Sequence, residues 1–191
     1  MRVTTPPRLA HEPGLGALEL WDLEPSEAVL ATLLGDLFTN HWPSIVFGPL
    51  IQGAAWEIRA ENPPTHLGVS DGYLTVDFGR THFHLCIGEH RGSRAHPTPP
   101  DLAAHRRTRR AHLYRRINED GTPDSWGLRL VNGHDEEQIT VLFPNPFLTE
   151  ELDVRETPDW SRLALWDYVR ERYLDLPADP RDRSGRRFSH P

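Results

Sequence analysis

The stretch from Tyr73 to Ile87 constrains the fold most. Residues alternate between two faces through Tyr73–Phe78 and again through Thr81–Ile87, and a period of two marks a strand with one buried side. Asp71-Gly72 precedes it, a pair suited to a tight hairpin turn whose central positions need positive φ. Gly79-Arg80 can close a second hairpin, and parity sets its length. A two-residue loop brings Phe78 to Thr81, and then pairs Asp77 with His82, Val76 with Phe83 and Thr75 with His84. Within the strands, polar meets polar and apolar meets apolar. A three-residue loop would set Phe78 against His82 and mix the faces. The shorter loop, with glycine first as a type II′ turn requires, therefore predicts an antiparallel meander of three or four strands.

The polar face of the last strand carries the chemistry. Asp77–His90 reads DFGRTHFHLCIGEH and contains the only cysteine. His82, His84 and Cys86 share one side; Phe83, Leu85 and Ile87 share the other. Imidazole and thiolate are the common ligands of zinc. Strand neighbours at i and i+2 lie roughly 6.7 Å apart and can share an ion, whereas i and i+4 lie roughly 13 Å apart. The expected site is therefore His82 with His84, or His84 with Cys86, completed from elsewhere. His90 can fold back after Gly88. Asp77 can ligate, or orient His82 from behind. His41, at a helix end, is more remote. Zinc is the default ion and haem the alternative cofactor. The competing reading is a polar packing face whose histidines bond to Asp77, Thr75 or backbone. Cys86 as a nucleophile with a histidine base ranks below metal binding, because a mid-strand thiol is poorly exposed.

Composition removes several function classes. All 21 basic residues are arginine, which excludes a Schiff-base lysine, a pyridoxal site and a Walker-type phosphate loop. A net charge of −7 argues against general nucleic-acid binding. No apolar run approaches the ~20 residues that span a bilayer, and the N-terminal stretch has no signal-peptide pattern. With a single cysteine there is no internal disulfide, and a cytoplasmic setting is expected. Paired C-x-x-C, H-E-x-x-H and G-x-S-x-G patterns are absent. The only methionine is Met1, which disfavours a type 1 copper site. Arg106, Arg107, Arg109, Arg110, Arg115 and Arg116 form a run that can hold an anion or haem propionates, but it reads first as a solvated helix face.

Along the rest of the chain, 1–23 reads as an arm that Leu18, Leu20 and Trp21 can dock. A helix starts near Pro25 and ends by Trp42, with Leu30, Leu33, Leu34 and Leu37 on one stripe. Ser44–Gln52 suggests a short or kinked helix, Ala55–Arg59 a strand and Leu67–Ser70 another. Asp101–Arg110 looks helical, and His112–Ile117 fits helix or strand. Trp126–Asn132 and Ile139–Phe143 pair as strands. Thr157-Pro158 starts a helix that runs to about Leu174, and 177–191 reads as a disordered tail. The predicted class is α+β: an antiparallel meander with helices at both ends packing on one face, forming a single domain over 24–176.

Asp77–His90, together with SWGLRLVNG (Ser125–Gly133) and TVLFPNPF (Thr140–Phe147), resembles an uncharacterised family of short bacterial proteins over about residues 20–175. That resemblance implies no activity. The order of helix, meander and strand pair is also faintly similar to haem-utilisation carriers, an analogy of fold that maps no axial ligand. The leading functional reading is a small metalloprotein that activates water or polarises a small-molecule substrate. The alternative is a non-catalytic haem or metal carrier, or an interaction domain without metal.

Overall fold

The computed structural model describes residues 6–13, 15–51 and 53–188. Parts of the expected arm and tail, 1–5 and 189–191, lie outside them. The chain is α+β. In order it forms β1 (Arg8–Glu12), β2 (Gly16–Leu23), α1 (Glu27–Asn40), β3 (Val46–Gly48), β4 (Leu50–Ile51), β5 (Ala54–Ala55), β6 (His66–Ser70), β7 (Tyr73–Asp77), β8 (His82–Cys86), α2 (Pro100–Arg106), β9 (Thr108–Ile117), β10 (Pro123–Asn132), β11 (Glu137–Leu142) and α3 (Ala164–Leu174). Six strands form one sheet in the order β1-β2-β9-β10-β11-β3, and β6-β7-β8 form a three-stranded sheet. Contacts divide the chain into two compact units. One comprises Glu24–Ala111 and Arg129–Val141; the other comprises Met1–Leu23, His112–Leu128 and Leu142–Pro191.

In the first unit, α1 buries Leu30, Leu33, Leu34, Leu37 and Phe38, the i, i+3, i+4, i+7 stripe of an amphipathic helix. It ends at Asn40, before Pro43 as expected; His41 leaves helical geometry at the cap, and Trp42–Ser44 then forms a short 3-10 turn that includes the proline. The three-stranded sheet has the register that parity required. Asp77 pairs with His82, Val76 with Phe83 and Thr75 with His84, and Phe78 N–H donates to Thr81 O at 2.9 Å. Asp71 and Gly72 have φ of 46° and 78°, the doubly positive pair of a type I′ turn. At Gly72 a side chain is also sterically barred, since a Cβ would stand 2.7 Å from the Glu89 carbonyl. The apolar side of the sheet meets α1: the Phe38 ring lies 5.3 Å from Phe83 and 6.4 Å from Phe78, edge-on in both cases.

Three local expectations change. Ser44–Gln52 contains β3 and β4 in place of a kinked helix, because Val46 and Phe47 bury as an extended pair. Ala55–Arg59 is strand only at its start, and Ile58 keeps one bridge to Phe47. The helix expected over Asp101–Arg110 stops at Arg106; Thr108 onward joins β9, which settles His112–Ile117 as strand.

In the second unit, β1 and β2 pair antiparallel from Arg8↔Leu20 to Glu12↔Gly16. Leu18, Leu20 and Trp21 are buried, and Leu18 and Leu20 pack with Tyr114. The last helix starts later than Thr157-Pro158 suggested. Asp159 caps a 3-10 turn over Trp160–Leu163 by accepting from Ser161 N–H, and α3 follows. Leu163, Trp166 and Val169 are fully buried. Beyond α3, where a disordered tail was expected, Pro180–Arg183 forms a further 3-10 turn and Asp182 is completely buried.

Candidate functional site: the histidine face of the three-stranded sheet

Two registers place the polar side chains of this sheet in rows. His66 pairs with Asp77 and Asp77 with His82; Gly68 pairs with Thr75 and Thr75 with His84; Ser70 pairs with Tyr73 and Tyr73 with Cys86. Residues directly opposite in neighbouring strands project to the same side. One face therefore carries His66, His82, His84, Asp77, Thr75, Tyr73 and Cys86.

Along this face the exposure changes. His66, His82 and His84 are exposed, Asp77 and Thr75 half-buried and Cys86 buried. The His82 and His84 rings have centroids 5.2 Å apart with planes at 70°. His84 Nδ1 and Thr75 Oγ1 share a 2.8 Å hydrogen bond, which leaves Nε2 as the atom His84 can offer a ligand. Asp77 Oδ1 accepts from Gly79 N–H at 2.7 Å, bracing the Gly79-Arg80 turn.

Cys86 and His90 are engaged differently. The Cys86 thiol donates to Gly88 O at 3.6 Å. Burial pushes its pKa up, against the opposing hydrogen bond from Tyr73 and the charges of Arg106 and Arg107. That is the setting of an inert thiol rather than of a reactive thiolate. His90 Nδ1 lies 2.9 Å from Asp71 Oδ2, and its ring stands edge-on to Tyr73 at 4.9 Å. Asp71 also accepts from the Arg91 and Gly92 N–H groups, both at 2.9 Å. The Arg91 bond is the largest cause of an Asp71 pKa below the usual carboxylate value. His90 thus belongs to a carboxylate clasp that closes the loop after β8. His41 ends α1, donating its N–H to Leu37 O, with Nε2 3.9 Å from Asp36. Among the described residues, no three or more His, Cys, Asp or Glu side chains stand grouped to hold a metal ion. His82, His84 and Asp77 thus share one face of the sheet without converging as a three-ligand group, and Cys86, His90 and His41 have other partners.

Sequence reasoning missed His66, although the signal was present. A two-residue turn at Asp71-Gly72 makes paired numbers sum to 143, which puts His66 opposite Asp77. It also missed a histidine stack in the same unit. His105 and His134 lie 3.7 Å apart and nearly parallel, and His105 Nε2 meets Glu136 Oε2 at 2.8 Å. The His105 bond, then that from Asn132, holds the Glu136 carboxyl below its usual range.

The arginine run does not behave as one solvated helix face. Arg106, Arg107, Arg109 and Arg110 are exposed, and Arg110 pairs with Asp135 at 3.0 Å. Arg115 and Arg116 are buried on β9 of the other unit. Arg116 grips Asp124 through both carboxylate oxygens at 2.8 and 2.7 Å. Arg115 reaches Glu19 at 2.5 Å, Asp179 at 2.8 Å and Asp182 at 2.7 Å. Asp182 also accepts from the indole N–H groups of Trp126 and Trp166, at 2.9 and 2.8 Å, and faces Arg170 at 3.4 Å. Burial works against the Arg115 charge, but Asp182, Asp179 and Glu19 outweigh it and raise its pKa. For Arg170 burial wins over Asp182 and Asp179, and the pKa is lowered. The groups in this cluster are largely satisfied by one another, which suits a structural role.

No helix among the described residues is long and apolar enough to cross a membrane. No curated protein matches the chain. A family model does match, over residues 7–175 of the 191, so the protein carrying this histidine face belongs to the family of unknown function DUF7676.

Proposed function

We propose that the exposed face of β6–β8 binds a divalent transition metal, with His82 and His84 as its principal ligands and Asp77 beside them. The observation that carries this reading is the spacing of the two imidazoles. A ring nitrogen binds zinc at about 2.0–2.1 Å, so two imidazoles on one tetrahedral ion have centroids about 5 Å apart. The His82–His84 separation is 5.2 Å. Thr75 at Nδ1 supplies the orienting contact that ligating histidines use to present Nε2. Zinc suits a set of imidazoles and a carboxylate. The buried Cys86 thiol, its pKa raised by burial, is left to packing, as is His90 in its Asp71 clasp.

An ion with an open coordination position would activate water or polarise a small substrate. The exposure of His82 and His84 favours a second reading, metal binding or carriage without catalysis, since catalytic sites generally exclude bulk water. Haem is the alternative cofactor. A cytoplasmic setting suits the reduced thiol, and the net charge of −7 favours partners other than nucleic acid.

Metal stoichiometry on untagged wild type and on His84→Ala, each checked for folding by circular dichroism, tests the reading. Wild type should hold about one ion per chain after reconstitution, and the variant should lose most of it. Equal metal in two folded proteins, or none in either, would reject the assignment. A Soret band after haem addition would move the reading to a haem carrier.

A further inference from the structure

We infer that His66 supplies the third imidazole of this ion site, an inference that rests on the metal-binding reading above. His66 is in register with Asp77 and through it with His82. Strands are about 4.8 Å apart, so the His66 and His82 backbones are separated by about 10 Å across the sheet. Each imidazole reaches out from its strand, and an ion above Asp77 and Thr75 lies within reach of both. The Asp77 carboxylate in the middle would offset part of the ion's charge.

The His66 ring already leans that way. A Cβ placed on Gly68 would meet His66 Nε2 at 3.2 Å and Cε1 at 3.3 Å. The imidazole therefore lies over Gly68, in the row of Thr75 and His84. The absence of a side chain at Gly68 leaves the room beside Thr75 that this ring occupies. His84 meets the same threonine from the other side. The three side chains are exposed, and turning an exposed imidazole between staggered rotamers meets little packing resistance. Ion binding would draw His66, His82 and His84 together, with Asp77 below them. Three imidazoles leave a fourth position on a tetrahedral zinc for water or a small anionic ligand. The site would then be an open one rather than a closed structural one.

The test is zinc titration of the full untagged chain by calorimetry, with X-ray absorption on the zinc-loaded protein to count imidazoles. Wild type should bind one ion with three imidazoles. His66→Ala should weaken binding at least about tenfold and reduce the count to two, while His84→Ala loses binding. His66→Gln repeats the measurement should the alanine variant fold poorly. Gly68→Leu, which fills the space the ring occupies, should weaken binding without removing a ligand. Wild-type affinity in His66→Ala and His66→Gln, with binding lost in His84→Ala, would overturn the role of His66 and leave the two-histidine reading intact. Absence of zinc binding in the wild type would overturn both.

Discussion

The polar clusters of the two units solve opposite problems. Around Asp182, charge is buried: the carboxylate has no exposure, and Arg115, Arg170, Trp126 and Trp166 spend donors on it. Around Asp77, charge is at the surface, and three imidazoles stand in solvent with few internal obligations. A buried ion pair that loses one partner leaves an uncompensated charge in a poor solvent, which is strongly destabilising. An exposed histidine that is removed leaves only water. Density of polar residues is therefore a poor guide to function. The denser cluster is the one committed to the fold, and the looser one leaves its imidazoles exposed.

Four perturbations sharpen this contrast. Deleting residues 177–191 should have the largest effect, because it removes Asp179 and Asp182 together and leaves Arg115 and Arg170 buried without their main partners. Loss of a cooperative urea transition, or of soluble protein, is the expected result; a fully folded truncation would mean the segment is an accessory. Asp182→Ala should come next, costing about 3–5 kcal/mol as a broken buried ion pair, read from denaturant midpoints with the slope held constant.

Acid gives a smaller, graded effect. Burial pushes Asp179 up, but the Arg181 N–H and then Arg115 outweigh it and hold its pKa below the ordinary 3.8. A depressed carboxylate contributes stability that is complete above its unfolded value and is lost as pH falls through the folded one. The Asp179 contribution should thus be constant at neutral pH and disappear below about pH 3.8, and Asp179→Asn should flatten that part of the acid transition. Were the variant to retain the wild-type acid profile, Asp179 would not be among the groups responsible.

His82→Ala and His84→Ala should have the smallest effect on folding, within about 0.5 kcal/mol for exposed positions. A loss of several kcal/mol at His84 would show that its bond to Thr75 serves the sheet, and the comparison between the two clusters would collapse.

Local alternation made much of the histidine face legible. The period of two, the Asp71-Gly72 turn and the matching of polar with polar were enough to set Asp77 against His82 and Thr75 against His84, because register follows from pattern wherever one face is buried. The same rule applied one strand earlier reaches His66. Burial along that face was not legible. Cys86 has the same parity as His82 and His84, yet of the three only it is buried, and its carbonyl accepts from Thr108 and Gln138, which are distant in sequence.

The sequence by itself determined the class of the fold, the span of α1, the meander and its register. Each of these depends on neighbours within a few residues or across a tight turn, where propensity and periodicity act directly. Only the tertiary structure decided the fate of the charged segments. Pro180–Arg183 has the composition of a disordered tail, and Arg115-Arg116 that of a solvated face. Asp182 nevertheless binds Trp126 from 56 residues away and Arg115 from 67. An ion pair of that separation leaves no periodic trace in either partner's neighbourhood. Its residues look hydrophilic until the fold supplies the opposite charge that makes their burial tolerable.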